Sequence, residues 1–250
     1  MSVPTVTIGG LPIAVLDRAQ TADWMIRKAA EYPRGRRPLY LTSANGEVIA
    51  RVRSDASLKA LLLAADQIVA DGQPMVWASR IRCRTPLPGR VATTDLFHDV
   101  ATLAEETGHS FYLFGATPEE NARALANVRR AYPRLNIAGA SHGYLEGDEL
   151  RQTLAEIDAL APDIFWLALG VPNEQLFVAE HAHLLPNVGM IKTSGGLFNF
   201  LSGTNSRAPA WMQRAGLEWL YRTMLEPKRL LWRYLVTNPV AIWQMLKYSE

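Results

Sequence analysis

The sequence predicts an α/β fold built on a mostly parallel sheet. Three observations carry that prediction: strand-length apolar runs alternate with helix-period segments, one helix start carries a full set of capping signals, and loops rich in Gly, Pro and Asn follow the strand runs. In order, "PLYLTS" (38–43) reads as a strand, followed by a helical pattern in "EVIARVRSDASLKALLLAA" and a second short strand in "QIVADG". "SFYLFG" (110–115) is a buried strand by its aromatic content. After it, Thr117 reads as an N-cap, Pro118 as the first helical residue and Glu120 as the closing acid of a capping box. A further unit runs from "LNIAGAS" through the helix "DELRQTLAEIDALAP" to "DIFWLALG", and another from the helix "NEQLFVAEHAHLLP" to "VGMIKTSGG". In such sheets ligands bind beyond the carboxyl ends of the strands, where "TSANG", "ADGQP", "FGATP", "LGVPNEQ" and "TSGG" all fall.

Composition narrows the function classes. With 250 residues, 48% of them hydrophobic and 20% charged, the chain is a folded globular one rather than a disordered one. A formal net charge of only +2 argues against a nucleic-acid polycation. The single cysteine, Cys83, excludes an internal disulfide and suits a reducing cytoplasm; it has no nearby His in sequence to make it a nucleophile. The N-terminus lacks a basic stretch followed by an apolar core, so no signal peptide is expected, and no run of about 18 apolar residues is present to span a membrane.

The character of the chain changes near residue 203, dividing an α/β domain over 1–203 from a basic, Trp-rich helical appendage over 204–250. From Arg207 onward seven basic residues face three acidic ones, and Trp211, Trp219, Trp232 and Trp243 make four of the seven tryptophans. Arginine mixed with Trp, Tyr and Leu at helical spacing describes amphipathic helices able to lie on an anionic membrane surface. The same pattern equally describes helices packed on a core with solvated arginines.

The familiar phosphate signatures are missing: there is no G-x-G-x-x-G after a strand and no G-x-x-x-x-G-K-[ST], which disfavours a standard dinucleotide enzyme or P-loop ATPase. No D-x-D offers a carboxylate pair for a divalent ion. His181 and His183 stand two apart, on different helix faces, and make a poor metal pair. No metal and no cofactor is therefore expected. What remains is Asp71 at the end of a short apolar run, a set of arginines, and glycine-bearing loops, a combination that suits transfer to an anionic, phosphate-containing substrate.

Taken together, "ADGQPMVW", "GRVATTDLF", "FYLFGATPE", "LGVPNEQLF" and "SGGLFNFLSGTNSRAPAWMQRAGLEWLYRTMLEPKRLLWRY" resemble the WecG/TagA/CpsF family of bacterial glycosyltransferases over nearly the whole chain. The resemblance implies a Rossmann-like, mostly parallel sheet with helices on both faces and a C-terminal, membrane-associating helical appendage. It further implies inverting, metal-independent transfer of an N-acetylmannosamine-type or uronic acid sugar from a UDP donor to a sugar on a polyprenyl diphosphate. The setting would be cell-envelope or exopolysaccharide synthesis, with the protein peripheral on the cytoplasmic face of the plasma membrane. No nucleic-acid partner is expected; some family members form small oligomers, so a homo-oligomer is compatible with it.

On that resemblance Asp71 is the general base, taking the proton of the acceptor hydroxyl, and Gln73 of the same segment contacts substrate. "TSANGE" resembles the family's T-x-N-x-E with Asn45 in register, leaving either Thr42 or Ser43 as the contacting hydroxyl and Asn45 as a contact or a loop cap. Donors to the departing diphosphate would be Arg90 and the backbone amides around Gly195 and Gly196. Asp95 either binds a substrate hydroxyl or caps a helix beginning at Leu96. Glu174 and Gln175 stand in exchanged order relative to the family's commoner P-x-Q-E. Arg207, Arg214, Arg222 and Arg229 match the arginines of the tail, some to reach a diphosphate, others to face head groups or solvent. Two other classes stay open: a non-catalytic nucleotide-sugar binding protein at the membrane, and a soluble nucleotide-sugar-modifying enzyme whose tail merely packs.

Overall fold

A computed structural model describes residues 3–250, apart from the side chains of Ala210, Arg214 and Arg229. The chain runs β1 (Thr5–Ile8), β2 (Leu11–Ala14), α1 (Arg18–Glu31), β3 (Leu39–Ala44), α2 (Gly46–Arg51), α3 (Ala56–Leu63), β4 (Gln67–Ala70), α4 (Gln73–Arg82), α5 (Thr93–Thr107) and β5 (Ser110–Gly115). It continues through α6 (Pro118–Ala131), β6 (Asn136–Ser141), α7 (Gly147–Leu160), β7 (Ile164–Ala168), α8 (Asn173–His181), β8 (Met190–Thr193), α9 (Leu197–Leu201), α10 (Ala210–Arg214), α11 (Glu218–Leu225) and α12 (Pro227–Lys247). β1 and β2 form an antiparallel hairpin, and the other six strands lie in the order β4-β3-β8-β7-β5-β6. The pairings β3–β8, β8–β7, β7–β5 and β5–β6 are all parallel. This is the helix-flanked α/β sheet that the alternation of runs predicts, followed by a C-terminal helical region.

The chain divides into two compact units, one comprising Met1–Asp17, Ser43–Ala92 and Ser206–Glu250, the other Arg18–Thr42 and Thr93–Asn205. In the second unit, β5 and β7 are buried at every position, as continuous apolar runs in a parallel sheet require. Trp166 sits at their centre, its ring 4.9 Å from Phe97 and 5.7 Å from Phe111. Gly115, at φ +139°, closes β5, and a Cβ there would stand 2.2 Å from the carbonyl of Ala168. Only glycine permits so close a backbone approach. Thr117 caps α6 as predicted, its Oγ1 accepting from Glu120 N at 3.2 Å. Glu120 Oε1 also accepts from Asn199 Nδ2 at 2.8 Å, a partner the capping pattern does not predict.

In the first unit, the helical pattern read over 47–65 resolves into two helices. The side chain of Asp55 accepts from Leu58 N at 2.8 Å and starts α3 afresh, the competition for backbone donors that makes aspartate a poor mid-helix residue. α12 packs along α2, with Ala241 close over Gly46 and Arg233 paired to Glu47 at 3.1 Å. Trp219 of α11 meets Tyr234 of α12 with ring centroids 5.7 Å apart. Beyond α12 the chain returns to the hairpin: Thr7 and Glu250 exchange two backbone hydrogen bonds of 3.1 Å, and Gly10 N donates to Tyr248 O at 3.0 Å. Among the described residues no helix is long and apolar enough to cross a membrane.

Candidate active site

The end of β4 builds the first cluster. Asp71 N donates to Ala44 O at 2.8 Å, which keeps its backbone tied to the end of β3, while its side chain is 23% exposed. One residue earlier, Ala70 O accepts from Val91 N at 2.7 Å and draws the 89–92 loop alongside. That places Arg90 on Asp71: its Nε donates to the main-chain oxygen at 3.0 Å and its Nη2 meets Oδ1 at 3.4 Å. The other Nη of Arg90 donates to Glu218 Oε2 at 2.8 Å. Glu218 Oε1 in turn accepts from Arg207 Nε at 2.9 Å, and Arg207 Nη2 donates to Gln213 Oε1 at 2.7 Å. Burial alone would lower the Arg90 pKa, but Asp71 and Glu218 outweigh it and hold the guanidinium above its ordinary value.

Two predicted residues, Asn45 and Gln73, stand beside this chain of charges. Asn45 caps α2, its Oδ1 accepting from Val48 N at 3.1 Å, and a Cβ at Gly72 would lie 3.4 Å from its Cα. Gln73 opens α4, where its stem lies under Gly216 of the tail. Ser43 is half-buried near the end of β3. Arg222 lies half-buried on α11; the side chains of Arg214 and Arg229 lie outside the described residues.

A second cluster belongs to the other unit and is sealed. Thr42, Glu174, Gln175 and Thr193 are at most 3% exposed. Thr193 Oγ1 donates to Thr42 Oγ1 at 2.7 Å, and Gln175 Nε2 donates to Glu174 Oε1 at 3.3 Å. Gly195, at φ +54°, donates its amide to Glu174 Oε2 at 2.8 Å. That donor, expected to face a phosphate, is thus turned inward, where the buried carboxylate needs it. Burial pushes the Glu174 pKa up, against the Gly195 amide, the nearby Lys192 charge and the Gln175 side chain, which favour the anion. Gly196 precedes the five-residue helix α9.

Of the two hydroxyls left open by sequence, Thr42 is therefore committed inside the protein and Ser43 is the one with exposure. Asp95 does not cap a helix beginning at Leu96, because the helix begins two residues before it, at Thr93. Asp95 sits in its first turn, 3.5 Å from Arg18 Nη1. The Cys83 thiol is raised by burial, which works against a nucleophilic role. Among the described residues no three His, Cys, Asp or Glu side chains converge as metal ligands. Glu218 was not singled out by sequence. Its partner Arg90 lies 128 positions away, and the one local hint is an acid opening a helix in a basic tail.

Residues 6–250 match the family described as "Glycosyl transferase WecG/TagA/CpsF family". The chain is 32% identical, over 211 residues, to the N-acetylglucosaminyldiphosphoundecaprenol N-acetyl-beta-D-mannosaminyltransferase of Bacillus spizizenii (strain ATCC 23059 / NRRL B-14472 / W23), covering 84% of this chain and 80% of that one. It is 30% identical, over 210 residues, to the protein of the same name from Bacillus subtilis (strain 168), with the same coverage. With a match spanning nearly its full length, and with the acid and arginines of the resembling segments gathered at the end of β4, the chain belongs to the WecG/TagA/CpsF family of glycosyl transferases.

Proposed function

We propose that this glycosyltransferase moves an N-acetylmannosamine-type sugar, or its uronic acid, from a UDP donor to a sugar carried on a polyprenyl diphosphate, inverting the anomeric centre without a metal ion. The relatives' names, which join a mannosaminyl group to a diphosphoundecaprenol-linked N-acetylglucosamine, favour the first donor. The observation that carries the reading is the contact between Asp71 and Arg90. Asp71 takes the proton from the acceptor hydroxyl as that oxygen attacks the anomeric carbon. The bond from that carbon to the diphosphate breaks, and UDP leaves with the electron pair. Arg90 then supplies the positive charge that offsets the developing anion. The reaction would serve cell-envelope or exopolysaccharide synthesis at the cytoplasmic face of the membrane, with the aromatic, basic tail against the lipid surface.

A panel of UDP-sugars with a short polyprenyl-diphosphate-sugar analogue, run with EDTA, tests it by scoring UDP release and glycosylated lipid together. One donor should be consumed, and Asp71→Asn should cut turnover by about 10² to 10⁴, because the amide cannot take the proton. Full activity in that variant overturns the base assignment. A donor that binds without being consumed makes the chain a nucleotide-sugar binding protein instead.

A further inference from the structure

The charges around Asp71 are unevenly shared. Arg90 spends its short contact, 2.8 Å, on Glu218 and leaves 3.4 Å to Asp71 Oδ1. The first is a strong charge-assisted hydrogen bond, whereas the second is near the limit of being one. The second oxygen of Glu218 holds Arg207 at 2.9 Å, so one carboxylate gathers two cations beside the acid.

Glu218 is itself held firmly. It opens α11, where a negative side chain is favoured by the exposed amides of the first turn, and it is only 13% exposed. Two residues earlier the backbone turns at Gly216, at φ +67°, where a Cβ would stand 2.8 Å from the ring of Trp77 on α4. Leu217 N closes the turn on Met212 O at 2.8 Å.

Resting on the function proposed above, we infer that Glu218 is a positioning residue for the transfer. It holds Arg90 and Arg207 together beside Asp71, where the departing diphosphate must be met. Glu218→Gln removes the charge and puts a donor where a guanidinium needs an acceptor. The expected result is a fall in kcat of about ten- to a hundred-fold, the scale of a misplaced catalytic group, with KM for the donor unchanged or lower. A purely structural defect would not separate the two constants in that direction. Glu218→Asp should fall between wild type and Glu218→Gln. In an Arg90→Lys background, Glu218→Gln should cost less than it does alone, since the two residues act as one unit.

Near-UV circular dichroism and the unfolding midpoint report whether each variant folds. If Glu218→Gln does not, Glu218→Asp decides, since the shorter side chain withdraws the carboxylate from both arginines. Wild-type kcat in either folded variant, with the wild-type protein active, overturns the positioning role and leaves the proposed reaction standing. A wild-type protein that consumes no donor overturns both.

Discussion

One side-chain amide, Asn121 Nδ2, donates to the carbonyls of Gly115 and Ser141 at 2.9 and 2.8 Å and so ties the ends of β5 and β6 to α6. Asn121 is buried, and Ala in its place would leave both acceptors short of a donor. Asn121→Ala should therefore lower unfolding stability by about 2–4 kcal/mol, measured by urea denaturation; a loss under about 0.5 kcal/mol would show that water replaces the amide. Asp71 is legible from sequence because "ADG" ends an apolar run and matches a family pattern. Asn121 is not, since a polar residue in the middle of "EENARAL" looks like any solvated helix position until its depth is known. Glu218 escapes for a related reason: its meaning lies in partners at Arg90 and Arg207 rather than in its neighbours.

Among the elements, β5 and β7 could be read closely because a strand buried on both faces is apolar throughout. The split between α2 and α3 could not, since the apolar period continues across it and only the Asp55 cap marks the break. At the junction of α8 with the β8–α9 loop, the buried pair Glu174 and Gln175 reads as ligand-facing in sequence but binds the loop from within. Its pH behaviour has a definite sign. Because the folded-state pKa of Glu174 is raised, the unfolded chain holds fewer protons at this site than the folded one between the ordinary glutamate range and that raised value. Stability contributed here is therefore largest below the ordinary pKa and falls as pH rises toward the raised one. Glu174→Gln should flatten the fall of the urea midpoint as pH rises above the ordinary glutamate range; an unchanged slope would mean that burial of this group adds nothing to the pH dependence.

At the scale of the whole molecule, the exposed side of α12 presents Leu231, Trp232, Leu235, Val236 and Ile242, while Leu230, Ala241 and Met245 face inward. This is the division that a helix lying on a lipid surface needs, the role proposed above for the tail. Trp232→Ser with Leu235→Ser should abolish co-sedimentation with vesicles containing phosphatidylglycerol while UDP release with a short-chain acceptor persists. Undiminished co-sedimentation would place lipid binding elsewhere. Point changes are the right instrument, because deleting everything after Ser206 would also strip α2 of α12 and the hairpin of its closing strand-like partner.

That closing contact has a further consequence for how the protein is made. Gly9 N bonds the Ser249 hydroxyl 240 positions away, so this contact can close only after all the residues between them have left the ribosome. Segment Thr93–Asn205 of the second unit is out and free to fold well before then. The unit that holds Asp71 is assembled from segments on both sides of that stretch, and until α12 has been made its apolar hairpin and α2 wait uncovered, which makes that interval the one of greatest exposure to chaperones and to aggregation.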